Sequence, residues 1–239
     1  MKIEILYPEI CYLYGDLMNI EYLHRCLPEA EVVKTSLKTV PAFVGGGVDL
    51  IYLCSMTERA QELVIDALRP YTDIIRERID GGTIFLATGN ALEIFVKDIE
   101  NDDGSKIEAL GLFSLTAKRR MMDRYNALYL GKFGETDIVG LKSQFAHTYD
   151  IGGDGVEPLF MTVRGAGRNP DVKPEGIRKN NFMATYVLGP LLIMNPPFTK
   201  YIMGLLGAGD KPLAYEKAAL DSYELRLKEY SDPKRGFDY

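Results

Sequence analysis

The stretch Gly81-Gly-Thr-Ile-Phe-Leu-Ala-Thr-Gly-Asn-Ala-Leu-Glu-Ile-Phe95 decides how this chain is read. An apolar run, Thr83–Ala87, feeds a corner of small residues, Thr88-Gly89-Asn90, and then an amphipathic stretch, Ala91–Phe95. Strand, sharp turn and helix in that order describe a nucleophile elbow, which lifts one residue above the end of a central strand on a strained turn. Hydrolases place Ser or Cys there, whereas this chain places Gly89. Glycine adopts positive φ without steric cost but carries no atom that can attack a carbonyl. The corner is kept and its reactive group is not.

Working outward, the first half alternates elements. Met1–Tyr7 reads as a buried strand, and Asp16–Cys26 as a helix with apolar residues at helical spacing and Asp16 at its N-cap. Glu31–Lys34 and Val48–Cys54 read as strands. Thr57 caps a helix that stops at Pro70, and Tyr71–Asp80 ends at Gly81-Gly82. This order predicts an α/β fold: an open, largely parallel twisted sheet flanked by helices. The second half predicts short strands at Leu110–Leu115, Tyr125–Leu130, Asp137–Leu141, Leu159–Arg164 and Phe182–Val187. Polar loops lie at Asn101–Gly104 and Asp150–Gly155, and helices at Phe198–Leu206 and Leu213–Tyr230. Residues 1–239 are expected to form one domain, with residues 213–230 as its C-terminal helical segment.

The chain has 28 Lys and Arg against 34 Asp and Glu, a net charge of −6. Its basic clusters are short, which disfavours nucleic-acid binding, since neutralising phosphates needs a concentrated positive face. Cys11, Cys26 and Cys54 lack metal-ligand spacing, and their odd number argues against a disulfide framework. No metal or cofactor is expected. No apolar stretch reaches the length of a membrane span, and the first residues lack a signal peptide's apolar segment, so a cytoplasmic location is expected.

Four blocks in order carry a resemblance: Leu13–Ile20 (LYGDLMNI), Glu77–Phe95, Glu108–Arg120 (EALGLFSLTAKRR) and Glu175–Phe198 (EGIRKNNFMATYVLGPLLIMNPPF). Together they resemble the class I glutamine amidotransferases, in the CobB/CobQ-like branch. Within it they are nearest the GatD-type subunits that work with a MurT-type ligase on lipid II. The resemblance implies a thiol nucleophile where Gly89 stands, an activating histidine where Leu188 stands, and a glycine-rich oxyanion loop where Cys54–Glu58 stands. It therefore implies a catalytically degenerate pseudo-glutaminase, a binding or scaffold subunit for a MurT-like (Mur ligase family) partner or for a small amide or amino acid. The alternative is an active subunit with relocated catalytic residues, supplying ammonia for lipid II or cobyrinate amidation.

The pocket candidates are Cys54, Asn90, Glu93 and His147. Cys54 ends a strand on the side where open α/β sites gather. It is either a relocated nucleophile paired with His147 or a small buried hydrophobe. Asn90 and Glu93 follow the corner, either at an anion-binding helix N-terminus or as plain capping groups. Asp16, Glu58 and Glu93 are the carboxylates that a different acid–base chemistry could use.

Overall fold

The computed structural model describes residues 1–152 and 156–237, so the polar loop expected over residues 150–155 lies partly outside the described residues. The elements run β1 (Lys2–Leu6), α1 (Met18–Cys26), β2 (Glu31–Thr35), β3 (Leu50–Leu53), α2 (Glu58–Leu68), α3 (Thr72–Asp80), β4 (Ile84–Thr88), β5 (Asp98–Glu100), β6 (Lys106–Glu108) and β7 (Leu115–Arg119). There follow β8 (Tyr125–Phe133), β9 (Thr136–Gln144), β10 (Ala146–Asp150), β11 (Phe160–Arg164), β12 (Pro174–Glu175), β13 (Ile177–Lys179), β14 (Phe182–Thr185), α4 (Leu191–Met194), α5 (Pro196–Leu205) and α6 (Glu216–Ser231).

A six-stranded sheet in the order β13-β14-β4-β3-β1-β2 forms the centre. Its pairs are parallel except for the edge strand β13, which runs antiparallel to β14. Every residue of β3, β4 and β14 is buried, as continuous apolar runs covered on both faces should be. The α/β class with a largely parallel sheet is observed. In α2, Ala60, Gln61, Val64, Ile65 and Leu68 are buried at three- and four-residue spacing, so one stripe faces the sheet. The Thr57 hydroxyl accepts from the Ala60 N–H at 3.2 Å, giving that helix the cap its sequence predicts.

The second half departs from the expectation. It builds two further four-stranded sheets, β10-β7-β5-β6 and the antiparallel β12-β11-β8-β9. Residues 110–114 are not a strand; the strand begins at Leu115, because the Leu110–Phe113 amides bond instead to Ile94, Val96 and Phe95 carbonyls around the segment after the elbow. The stretch expected to be a helix after the elbow is a seven-residue 3₁₀ segment, Gly89–Phe95, buried at every residue except Asn90. Its bonds are of the tighter kind that rarely extends beyond one or two turns. Neither reading of Asn90 and Glu93, an anion-binding α-helix N-terminus or plain caps of an α-helix, applies to this 3₁₀ segment, which has no side-chain cap. The Asp16 side chain does not cap α1, which begins at Met18 after Leu17, and the carboxylate turns inward. Among the described residues no helix is long and apolar enough to cross a membrane.

Candidate functional site

The chain leaves β1 in one direction to form β2 and returns on the other side of β1 to form β3, so the switch in strand order lies between β1 and β3. Open α/β sheets gather their sites beyond the carboxyl ends of the strands at such a point. A cavity of about 100 Å³ sits there. Its walls come from the segments that follow the parallel strands: Leu13 and Tyr14 after β1, Ser55 to Glu58 after β3, Asn90 after β4 and Leu188 after β14. Arg124 and the Ser143–Phe145 segment complete the lining from the second half.

Gly89 has φ +64°, the left-handed backbone that an elbow requires. A Cβ built on Gly89 would lie 2.7 Å from Leu188 Cδ2 and 2.7 Å from Ser55 Cβ. Carbon atoms attract best at about 3.5–4.0 Å, so these contacts are deep in the repulsive wall. The backbone beside each contact is held in place. The Leu188 N–H donates to the Leu141 carbonyl at 2.8 Å, which pins its main chain against β9. Ser55 Oγ donates to the Leu13 carbonyl and lies 3.0 Å from Asp16 Oδ2. The space in which a nucleophilic side chain would start is filled.

Beneath it lies a buried polar network that the sequence did not reveal. Asp16 Oδ2 also accepts from Thr88 Oγ1 at 2.8 Å, and the Gly189 N–H donates to its other oxygen at 3.3 Å. Tyr52 donates to the Asp16 carbonyl, and Asn19 bridges Asp16, Tyr52 and the Leu192 N–H. Burial pushes the Asp16 carboxyl above the usual carboxylate range, while the Thr88 and Ser55 hydroxyls pull it back. These bonds tie the ends of β1, β3, β4 and β14 into one unit.

Of the four pocket candidates, only Asn90 lines the cavity. Its side chain closes a two-way clamp on Met56, accepting from the Met56 N–H at 3.0 Å and donating to the Met56 carbonyl at 2.8 Å. An oxyanion hole needs donors aimed at empty space, and this N–H is already occupied. Cys54 is fully buried, and its thiol donates to the Cys11 carbonyl at 2.7 Å. Burial holds that thiol far from ionisation, with Asp16 and then Cys11 acting in the same direction. His147 is on β10, its Nδ1 3.2 Å from Gln144 Nε2 and its ring beside Tyr125. Burial and then Lys142 push its pKa down. Among the described residues no hydrogen bond joins Cys54 to His147. Glu93 faces away from the cavity, into a relay of its own. Gln61 Nε2 donates to Glu93 at 3.0 Å and to the Asn90 carbonyl, while Arg119 donates to Gln61 Oε1 at 2.7 Å. Burial raises Glu93 to about 7, against the opposing effects of Gln61 and Arg119.

Arg124, Ser143, Gln144 and Phe145 had no sequence signal, because they reach the cavity only through pairing of strands distant in sequence. One fully buried ion pair supports this wall. Lys142 Nζ lies 3.3 Å from Glu175 and donates to the Ala166 and Gly167 carbonyls. Glu175 in turn accepts from Thr185 Oγ1 and the Tyr186 N–H, just before Leu188.

No protein-family model matches the chain. It is 28% identical over 196 residues to a Staphylococcus aureus protein, the GatD subunit of a glutamine-hydrolysing lipid II isoglutaminyl synthase, covering 80% of this chain and 78% of that one. The Streptococcus pneumoniae subunit of the same name is 23% identical over 248 residues, covering 96% and 93%. A crystal structure of a Thermotoga maritima glutamine amidotransferase superposes with a TM-score of 0.56 at 10% identity, covering 95% of this chain and 94% of that one. The chain thus has the fold of the class I glutamine amidotransferases and is GatD-like in sequence.

Proposed function

We infer that this protein is a catalytically degenerate member of the amidotransferase fold, a pseudo-glutaminase that serves as a binding or scaffold subunit for a MurT-like ligase. One observation carries the reading: Leu188 and Ser55 occupy the space where the Gly89 corner would have to project a nucleophile. Loss of a nucleophile or base in a well-studied hydrolase costs on the order of 10⁶ in rate, far more than loss of one oxyanion donor. The clamp on the Met56 N–H and the buried, un-ionised Cys54 support the same reading. The names of the two relatives favour lipid II amidation over a corrinoid pathway. A ligase held by such a subunit would draw on free ammonia.

The test is ammonia release from glutamine by the purified chain, alone and with a purified MurT-like ligase. No release above background is expected in either case. Release that disappears in Cys54→Ala would overturn the reading and establish an active subunit with relocated residues.

A further inference from the structure

Behind the corner, buried polar groups face one another without touching. The Tyr186 hydroxyl, just after β14, is turned toward the Glu93 carboxylate and toward the Thr148 hydroxyl on β10. It closes a hydrogen bond with neither. Thr148 Oγ1 and Arg119 Nε are also buried and unpartnered, and all four side chains are at most 5% exposed. A buried hydroxyl left unpaired is costly, so folded proteins satisfy it through protein or ordered water. A buried water makes about three hydrogen bonds, and Tyr186, Thr148 and Glu93 offer three partners.

Both sides of this set are tied to the corner. Glu93 lies in the same 3₁₀ segment as Gly89, and Tyr186 stands two residues before Leu188. The neighbouring elements compensate an ionised Glu93 poorly. From α2 come Gln61, a neutral donor, and Glu58, a like charge. Arg119 on β7 directs its terminal N–H groups at Gln61 and Asn101. β4 and β14 carry no charged side chain, and Lys142 on β9 is committed to Glu175. Among the described residues no ion pair reaches Glu93. Burial accordingly raises its carboxyl to about 7, and opening of the segment would return that carboxyl to water.

We propose that Glu93, Tyr186 and Thr148 hold one buried water between them, and that this set is a proton-sensitive latch on the corner. With Glu93 protonated, the Gly89–Phe95 segment stays packed beside Leu188. With Glu93 ionised, the segment opens locally and lets solvent reach the carboxylate. The closed form binds more protons than the open one. Opening therefore grows as pH rises from the ordinary carboxylate value near 4.5 to about 7, and levels off above it. The latch does not depend on whether the chain holds a ligase or hydrolyses glutamine.

The experiment is native-state amide hydrogen exchange of the full chain at pH 5 and pH 8, corrected for the intrinsic pH dependence of exchange. Protection of Gly89–Phe95 and of residues 186–188 should fall about tenfold or more from pH 5 to pH 8, and should stay nearly constant in Glu93→Gln. Low urea should hardly change exchange in these segments, the mark of local opening, whereas the β1 amides should stay better protected and respond to urea. Equal protection at both pH values, or a urea response matching that of β1, overturns the latch. His147→Gln should leave the fall in place; its disappearance there would assign the titration to the histidine and overturn the proposal. Thermal unfolding of Tyr186→Phe and Thr148→Val tests the water. Each should lower the unfolding temperature, because each removes one of the water's partners. A rise in either would mean that its hydroxyl is stranded, and would overturn the water site.

Discussion

Replacing Gly89 by alanine tests the central geometry with a single methyl group. A non-glycine residue in left-handed backbone costs roughly 1–2 kcal/mol, and overpacking a tight core site costs roughly 1–3 kcal/mol. Alanine also stiffens the unfolded chain, which returns about 0.4–1 kcal/mol. With φ at +64° and two carbon atoms at 2.7 Å, Gly89→Ala should lose roughly 2–4 kcal/mol in urea unfolding followed by fluorescence or circular dichroism. Leu188→Ala alone should cost roughly 2–5 kcal/mol for its vacated space. In the double variant the new methyl group occupies part of that space. The two effects should then fall short of their sum by about 0.5–3 kcal/mol, the range seen for side chains in contact. A Gly89→Ala variant within 0.5 kcal/mol of wild type, or strictly additive losses, would refute the claim that Leu188 and Ser55 fill the nucleophile's place.

Three further outcomes follow from buried polar groups and one cap. Glu93, raised to about 7 by burial, is protonated more readily in the folded chain than in the unfolded one. Its favourable contribution is complete below the unfolded carboxylate's pKa near 4.5 and is lost as pH rises through about 7, on the order of 3 kcal/mol in all. Glu93→Gln should flatten the stability slope between pH 5 and 7 in urea titrations, and an unchanged slope would discredit the assignment. Lys142→Met should cost roughly 3–5 kcal/mol by stranding the buried Glu175, and Lys142→Met with Glu175→Gln should recover much of it in calorimetric unfolding. Equal losses in the single and double variants would mean that the ion pair is not what fails. Thr57→Ala should cost about 1 kcal/mol through loss of the α2 cap, and a Thr57→Ser variant should retain most of it.

The parallel sheet and the corner at Gly89 were legible in the sequence because they rest on local rules. Continuous apolar runs mark strands covered on both faces, Thr57 marks a helix start, and Gly81-Gly82 marks a stop, each within a few residues of chain. Glycine at the corner likewise declares its left-handed backbone. The sequence could not decide what surrounds that corner. Gln144, Arg124 and Ser55 meet across separations that no spacing rule reports. Asp16 has the pattern of a helix cap, yet a buried site with Thr88, Ser55 and Gly189 as donors outweighs the capping bond it would make at the surface. The residues after Gly89 have helical periodicity but are too few and too enclosed to extend into an α-helix, so packing settles them as a 3₁₀ turn. That the corner carries glycine was visible in one letter. What crowds that corner was decided only by Leu188 and Ser55, which lie far apart from Gly89 in the chain and beside its place in the fold.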